Sequence, residues 1–401
     1  MGQVGTEQTL QDIKGITKDI RTLTNILARG ITTEEWPGFK QLVKDGLAQS
    51  MYPVGSQLVD KWYKTAETSY DAPWDIVHYD AAGNAYLKWH YGIPTVQFDA
   101  PEAIYYFDGT EQAGVEYYIL IKSAYGTGWV ANKGIAFTLS EAPAEGDQLV
   151  ISTATNNATD PTNGIAWNVY GAGSTVSKQN GITSEGTTGT KLGETSSFGT
   201  GYTNGRVNAP QRVVYGYNRY AQSAIRQWLN SQAAANAWWT MQNPWDRPPS
   251  QLSTLRGFLA GCSAEFIDNI DATDIVIAIN TVEGAQTDRE TVHDKIFLPS
   301  LQEMYITPQL ADAEGVDWDY FKALAAEAGL TGKFQQGSTY PILKTYDIAN
   351  HASAVTASLR SANRGNAGYR WIVTTSGGVN YYGTALNSYS GCPACKILKS
   401  A

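Results

Sequence analysis

Cysteine is scarce in this sequence. Cys262, Cys392 and Cys395 are the three among 401 residues, and an odd number this small excludes a disulfide framework. No apolar run reaches the roughly 18 residues of a membrane-spanning helix, and no basic segment followed by an apolar one marks a secretory signal peptide. We therefore expect a chain that folds on hydrophobic cores, is not inserted in a membrane and has no cleaved leader.

Charge is scarce as well. Charged residues make up 17% of the chain, against about 25% in an average globular protein. The 29 Lys and Arg are outnumbered by 38 Asp and Glu, which gives a formal net charge of −9. This balance argues against nucleic acid and anionic lipid as partners, because both are held by a basic face. The many Gly (39), Tyr (24) and Trp (12) residues instead indicate a neutral, aromatic and turn-rich surface suited to adhesion.

Catalytic motifs are absent from the sequence. None of the four histidines, His78, His90, His293 and His351, has the spacing that places two imidazoles on one helical face. No glycine-rich phosphate-binding loop occurs either. We predict neither an enzyme nor a bound cofactor.

Two weaker patterns could hold a metal ion. Asp268, Asp271 and Asp274 are three residues apart and could share a helix face that binds calcium, although the glycine turn and bidentate glutamate of a calcium loop are missing. We favour a solvated acidic face. Cys392 and Cys395 have the CxxC spacing without a second ligand pair, which favours buried structural thiols over a zinc site.

Length and periodicity divide the chain into three regions, since 401 residues exceed one compact core. Residues 1–50 are predicted to be a helical oligomerisation or attachment region. Residues 51–210 are predicted to be β-rich. Residues 211–401 are predicted to form an α+β domain.

The first region carries two amphipathic helical patterns. Apolar residues three and four positions apart give the stripe of a short coiled coil: Ile13, Ile16, Ile20, Leu23 and Leu27. This stripe predicts a homo-oligomer, with a trimer favoured by its isoleucines, or else a helix that docks on its own domain. The second pattern predicts a helix over residues 36–49.

The period changes to two from Tyr52 onward, which predicts an antiparallel β-sandwich of short strands. Residues 152–205 are mostly Ser, Thr, Gly and Asn, so they cannot bury much apolar area and are predicted to be long loops or sheet edges. Residues 217–239 have apolar side chains at helical spacing and predict the best helix of the chain.

The segment 361–391 has an unusual composition. Of its 31 residues, six are Gly, four Asn, four Tyr and four Ser, and none is Asp, Glu or Lys. Antibody paratopes use the same residues, because Tyr supplies rigid contact area and Ser, Asn and Gly supply adaptable hydrogen bonds. We predict a binding surface here. The alternative is a Gly- and Asn-rich β-meander whose polar residues only face solvent.

The C-terminal sequence resembles a known family. The resemblance is carried in order by Leu359-Arg360-Ser361, Trp371, Val373, residues 376–381 (SGGVNY) and Pro393-Ala394, together with residues 223–230 (SAIRQWLN) and 297–303 (FLPSLQE). This pattern is similar to the variable proteins of diversity-generating retroelements. Their C-type-lectin fold is shared with the phage major tropism determinant and with formylglycine-generating enzymes. The family often has an arginine before the final Pro-Ala, where this chain has Cys392.

The resemblance implies a domain layout. It implies an α+β, C-type-lectin-like ligand-binding domain over residues 211–401 with a variable segment at 361–391. Residues 52–77 resemble the first strands of the same domain, which would make 96–205 an inserted β-sandwich.

The resemblance also implies a binding face. Mutagenesis by such a retroelement acts at template adenines, so Asn and Tyr codons change while Gly, Trp and Val codons of the scaffold are spared. The ligand contacts implied in this way are Asn363, Arg364, Asn366, Tyr369, Arg370, Asn380, Tyr382, Thr384, Asn387 and Tyr389. Trp371, Val373 and Val379 are expected in the core. Tyr381 could face either the core or the ligand.

These expectations combine into one leading hypothesis. The protein would be a receptor-binding adhesin of a phage tail or virion, without catalysis, that binds a host cell-surface protein or glycan. Its N-terminal region would attach it to other virion proteins and form the oligomer. The alternatives are a structural virion decoration protein, or an oxidase of the formylglycine-generating type that uses Cys392 and Cys395.

Overall fold

The computed structural model describes residues 35–124, 129–151, 164–197, 205–285, 288–309 and 314–400. The coiled-coil pattern of residues 13–27 lies outside them. Within the described residues the chain is an α+β protein built mostly from strands, which confirms the predicted class. None of the helices described there has both the length and the hydropathy that crossing a bilayer requires.

The helices are short. They are α1 (Glu35–Asp45), α2 (Ala48–Met51), α3 (Pro210–Tyr215), α4 (Ala224–Leu229), α5 (Ala264–Asn269) and α6 (Asp319–Glu327). Three 3₁₀ turns accompany them at Tyr220–Gln222, Leu259–Gly261 and Pro341–Leu343.

The strands fall on both sides of α3. Before it lie β1 (Gln57–Tyr63), β2 (Ser69–Tyr79), β3 (Ala85–Trp89), β4 (Val96–Gln97), β5 (Tyr105–Tyr106), β6 (Glu116–Leu120), β7 (Gly134–Thr138), β8 (Gln148–Ile151), β9 (Ala166–Tyr170), β10 (Ser177–Ile182), β11 (Ser184–Glu185) and β12 (Thr190–Glu194). After it lie β13 (Thr273–Ala278), β14 (Arg289–Asp294), β15 (Ile296–Phe297), β16 (Thr345–Tyr346), β17 (Ala354–Val355), β18 (Ala357–Ala362), β19 (Tyr369–Val373), β20 (Val379–Thr384), β21 (Ser388–Gly391) and β22 (Ala394–Ile397).

Two hydrophobic cores hold these elements. The first is built from residues 36–98 and 220–397, and the second from residues 104–215. The chain therefore leaves the first core after Phe98, forms the second, and returns at Tyr220. The cores, not the three sequence regions, are the natural units of this fold.

Two five-stranded sheets lie in the first core, in the orders β1-β2-β3-β22-β15 and β20-β19-β18-β21-β4. The last strand, β22, pairs antiparallel with β3 on one side and with β15 on the other, with Cys395 opposite both Leu87 and Ile296. The C-terminal strand thus joins the N-terminal strands to the rest of the domain.

Two four-stranded sheets form the second core, in the orders β10-β9-β8-β5 and β11-β7-β6-β12. The Ser- and Thr-rich sequence supplies β9 to β12, and residues 152–163 and 198–204 of it lie outside the described residues. Three of its four strands are sheet edges, as predicted, and only β9 is internal. An edge strand needs less apolar surface than an internal one, so this composition suffices there.

The helix predicted over residues 36–49 is present as α1 and α2. Trp36, Phe39, Leu42 and Val43 are buried in the first core. This part of the predicted N-terminal region is therefore integral to the domain. The boundary at residue 50 was misplaced, because sequence periodicity shows an apolar face but not what covers it.

The prediction of a long helix over residues 217–239 is wrong. Only a 3₁₀ turn and the six-residue α4 form there. The Ser223 hydroxyl caps the start of α4, accepting from the Arg226 amide at 3.3 Å. At its end the Asn230 side chain bonds to a neighbouring strand, accepting from the Ile296 amide at 3.0 Å and donating to the Ile296 carbonyl at 2.8 Å. These tertiary bonds override the local periodicity.

Candidate ligand-binding face

A buried ion pair between Arg360 of β18 and Glu303 stabilises the sheet that contains most of residues 361–391. Arg360 is 1% exposed. Its Nη2 donates to Glu303 Oε1 at 2.9 Å and to the Glu314 carbonyl at 2.6 Å, and its Nη1 donates to the Leu298 carbonyl at 2.8 Å and to Glu303 Oε2. Neighbouring Ser361 accepts from the Leu301 amide at 3.0 Å. Two segments that carry the resemblance, 297–303 and 359–361, therefore contact each other through buried hydrogen bonds. We call this buried network the framework of the sheet.

The third segment of the resemblance joins the same framework. Arg226 of α4 pairs bidentately with Asp294, with Nε–Oδ2 at 2.8 Å and Nη2–Oδ1 at 2.9 Å. The buried Tyr220 hydroxyl accepts from the Leu298 amide at 3.2 Å. Arg226 and Tyr220 thus join α4 and the 3₁₀ turn before it to residues 294–298.

The strand β20 lies at the edge of its sheet and contains a bulge. Arg370 is opposite Gly383 and Ile372 is opposite Asn380, so Tyr381 and Tyr382 together oppose the single residue Trp371. A bulge of this kind re-aims side chains that would otherwise alternate between the two faces.

Both tyrosines of the bulge are exposed, Tyr381 by 48% and Tyr382 by 56%. Their rings contact each other edge-on at 5.3 Å between centroids, and Tyr381 packs edge-on against buried Trp371 at 5.7 Å. Tyr381, whose orientation the sequence left open, thus faces outward on a buried support. Trp371, Val373 and Val379 are buried in the first core, as predicted.

Gly383 lets the neighbouring strands approach each other closely beside the bulge. A Cβ atom at Gly383 would lie 2.5 Å from Ile372 Cγ2 and 3.3 Å from Tyr389 Cε2. Next to it, Asn387 Nδ2 donates to the Tyr389 hydroxyl at 2.9 Å. We call the adjacent exposed pair Tyr381 and Tyr382 the tyrosine face. Asn380, Asn387 and Tyr389, also predicted as ligand contacts, are half-buried.

Four of the predicted contact residues are buried instead: Asn363, Arg364, Arg370 and Thr384. A buried side chain cannot contact an external ligand, so we assign these four to the framework. Asn363 Oδ1 accepts from the Gly365 amide at 3.0 Å and from Gln309 Nε2 at 3.3 Å, which shapes the turn between β18 and β19. The sequence expectation failed here because polarity was equated with exposure.

Arg370 shows how an arginine can belong to the framework. It is fully buried, and its guanidinium donates to Ser358 Oγ at 3.1 Å and to the carbonyls of Thr384 and Asn387. The rings of Phe98 and Tyr389 lie 4.8 and 5.2 Å from it. Burial lowers the pKa of this guanidinium below its usual range. The buried Arg370 guanidinium therefore packs against the Tyr389 ring and is not accessible to a ligand.

Asn366 and Tyr369 are half-buried, and Tyr369 is opposite Thr384, two residues from Tyr382. Asn366 Oδ1 accepts from the amides of Gly368 and Tyr369, both at 2.9 Å, which forms the turn itself. The Tyr369 ring packs on Tyr215 at 5.3 Å, against the second core. Both residues act at the junction of the two cores.

Asn218 is a residue that sequence reasoning missed. Its fully buried amide donates to the carbonyls of Asn363 at 3.3 Å, Asn366 at 2.6 Å and Tyr369 at 2.5 Å, and its Oδ1 accepts from Asn280 Nδ2 at 3.1 Å. One side chain thereby fixes the turn that precedes β19. Its partners are far away in sequence, so no local pattern could have identified it.

The carboxylates considered for calcium do not share a helix face. Helix α5 ends at Asn269, and only Asp268 belongs to it. Asp271 pairs with Lys40 at 2.9 Å, and Asp274, on β13, pairs with His293 at 2.9 Å. No group of three or more His, Cys, Asp or Glu side chains in the described part of the chain could hold a metal ion.

The cysteines of the CxxC pair are buried free thiols, as predicted, and have different surroundings. Cys392 Sγ lies 3.5 Å from Thr345 Oγ1. Cys395 is in the first core, and burial raises the pKa of its thiol well above the usual range. The two thiols therefore lie in separate environments.

Comparison with known proteins gives one result. Residues 201–399 match the family described as a domain of unknown function, DUF6273. No match was found among curated proteins or among solved structures. The matched range contains the whole tyrosine face and its Arg360–Glu303 framework, but not β1 to β3, which complete the first sheet.

Proposed function

We propose that the protein is a receptor-binding adhesin of a phage virion, exposed on the tail or surface. Its domain of C-type-lectin-like fold would display a retroelement-diversified face to a host cell-surface protein or glycan. The observation that carries this proposal is the bulge in β20, which presents two adjacent tyrosines to solvent on a rigid, buried framework.

Diversification requires that the residues that contact the ligand differ from the residues that hold the fold. Tyr381 and Tyr382 contribute exposed ring surface, while the buried hydrogen bonds and ion pairs of the sheet come from other residues such as Arg360 and Asn218. Surface substitutions away from buried networks usually change stability by less than about 0.5 kcal/mol. Many side chains could therefore occupy the two bulge positions without unfolding the domain.

Aromatic contacts of this type suit weak, multivalent adhesion. Tyrosine offers contact area with little loss of side-chain entropy. An oligomer formed through residues 13–27, with a trimer favoured, would display several faces and multiply weak contacts by avidity. The N-terminal region would also attach the protein to other virion proteins.

The first test is phage adsorption to its host. Tyr381→Ser combined with Tyr382→Ser should reduce the adsorption rate at least about tenfold, since aromatic anchors dominate such interfaces. The matched control is Tyr63→Ser with Tyr346→Ser, because these tyrosines are also exposed, by 39% and 38%, but belong to β1 and β16, which are in other sheets than β20. Unchanged adsorption in the bulge variant would refute the assigned face and favour a decoration protein.

Sequencing tests the diversification. Codons 355–398 are sequenced deeply across a growing phage population. Substitutions confined to adenine-bearing codons, such as those of Asn380 and Asn387, would support a retroelement-diversified face. A uniform sequence would contradict the diversification and leave an adhesin with one fixed ligand.

The oxidase alternative would need paired thiols. The different surroundings of Cys392 and Cys395 do not favour it. Thiol-dependent oxidase turnover by the purified protein would overturn the preference for an adhesin.

A further inference from the structure

A polar cavity lies where the two cores meet, outside the tyrosine face. Its volume is about 570 Å³, within the roughly 300–1,000 Å³ of typical small-molecule sites. Arg212 of α3 lines it from the side of the second core, Arg219 and Gln222 line it beside α4, and Glu283 lines it after β13. We call it the junction cavity.

Buried ion pairs make the walls of this cavity rigid. Arg212 donates from Nε and Nη2 to both oxygens of Glu102, at 2.6 and 2.8 Å, and from Nη1 to Glu283 at 3.1 Å. Its guanidinium also lies 3.7 Å from the centre of the Tyr217 ring. Burial opposes the charge on Arg212, but Glu102 offsets this and raises the pKa of the guanidinium. The cavity is therefore formed before any ligand arrives.

Both arginines of the cavity are already paired with carboxylates. Arg212 is paired with Glu102 and Glu283, and Arg219 is paired with Glu290 at 2.7 Å. An anionic ligand would have to displace a carboxylate from its arginine, and a cationic ligand would have to compete with an arginine for its carboxylate. Either change leaves a partner unsatisfied, which is costly at buried sites. The existing pairs therefore favour a neutral ligand.

The lining offers both donors and acceptors. Gln222 Oε1 accepts from Asn243 Nδ2 at 3.3 Å, which leaves the amino group of Gln222 available to donate. Each carboxylate oxygen of Glu283 already accepts one hydrogen bond, Oε1 from Arg212 and Oε2 from the Tyr217 hydroxyl, and keeps a second lone pair that can accept from a ligand. The aromatic side chains of Tyr217 and Trp245 add apolar surface. Hydroxyl groups donate and accept at once, so a ligand rich in hydroxyls matches this wall better than a pure acceptor.

We propose that the junction cavity binds a neutral polyhydroxylated ligand, a sugar or a short terminal stretch of glycan. The residues that line it all lie outside 361–391. The site would therefore stay constant while the tyrosine face varies. The proposal does not depend on the adhesin hypothesis, because it rests on the cavity alone.

Saturation-transfer NMR with the full chain tests this proposal. The probes are glucose, galactose, mannose and N-acetylglucosamine, with glucuronic acid as the charged counterpart. Transfer to at least one neutral sugar is expected. Val282→Trp places an indole in the cavity and should weaken binding at least about tenfold, whereas the matched control Val282→Ala should leave it unchanged.

A second variant covers the case in which Val282→Trp does not fold. Gln222→Leu keeps the side-chain size but removes the amide, and should weaken binding about tenfold. The combined Tyr381→Ser and Tyr382→Ser variant should bind normally. Four results would overturn the proposal: no transfer to a neutral sugar, transfer to glucuronic acid alone, binding that survives the cavity variants, or binding lost with the two tyrosines.

Discussion

The Arg360–Glu303 pair allows a sharp test of the framework, because the two residues form one buried unit. Arg360→Met removes the guanidinium, whose four hydrogen bonds reach Glu303 twice and the carbonyls of Leu298 and Glu314. The Glu303 carboxylate would then keep its bond from the Ser300 amide but lose its cation in a buried site. The expected result is a strongly destabilised domain.

The size of the effect follows from the geometry. Removing one partner of a buried pair costs about 3–5 kcal/mol, mostly from the charge left behind. Arg360→Met and Glu303→Leu should each lower the free energy of unfolding by this amount. The combined variant removes both charges of the pair and should lose only about 1–3 kcal/mol, the cost of the backbone carbonyls left without a donor. The coupling between the two sites should therefore be at least about 3 kcal/mol.

Urea unfolding followed by tryptophan fluorescence measures all four states of this cycle. The control cycle uses Lys133→Met and Glu185→Leu, an ion pair whose side chains are 41% and 46% exposed. An exposed pair contributes about 1 kcal/mol or less, so that cycle should show little coupling. Additive losses at Arg360 and Glu303 would refute the view that they act as one buried unit.

Three further predictions concern the same sheet and its surroundings. Gly383→Ala should lower the free energy of unfolding by about 1–3 kcal/mol, because its Cβ would lie 2.5 Å from Ile372 Cγ2; no loss in urea unfolding would contradict this packing. Asn218→Ala should cost about 1–3 kcal/mol and speed amide exchange selectively in the turn it fixes. Burial and the neighbouring Asp246 raise the pKa of Asp99 well above its usual range. The contribution of Asp99 to the free energy of unfolding is thus fully present below the pKa of Asp in the unfolded chain, about 3.9. It is lost as the pH rises from there toward the higher pKa of the folded state, by up to about 1.4 kcal/mol per pH unit. Asp99→Asn should make the free energy of unfolding, measured by urea unfolding at a series of pH values, fall less steeply as the pH rises. An unchanged slope of this free energy against pH would contradict the prediction.

Sequence patterns predicted the parts of this fold that depend on local burial. The α1 face, with Trp36 and Phe39, carries its apolar signal in its own spacing, and the family resemblance implied the core positions Trp371 and Val373. The class of the protein followed from the same signal. Element length was less predictable, since α4 stops where the Asn230 side chain bonds to a strand 66 residues away.

The binding face was less predictable because polar residue types do not reveal burial. Arg370 and Asn363 look like surface residues in the sequence, yet both are buried with partners in other strands and turns. The outward orientation of Tyr381 depends on a bulge, which is a property of the pairing between β19 and β20. Only the three-dimensional register contains this information.

The bulge also changes how much variation one edge strand can display. A regular strand exposes every second residue on a given face, so the six residues of β20 would offer three side chains. Because Tyr381 and Tyr382 both oppose Trp371, two neighbouring codons contribute to the same surface. Gly383, directly after them, must remain small, since Ile372 occupies the space of its side chain. Packing, rather than the strand period, therefore decides which positions of β20 tolerate a change of side chain. Under the proposed function, this arrangement would let a segment rich in glycine and tyrosine keep its backbone while its surface changes.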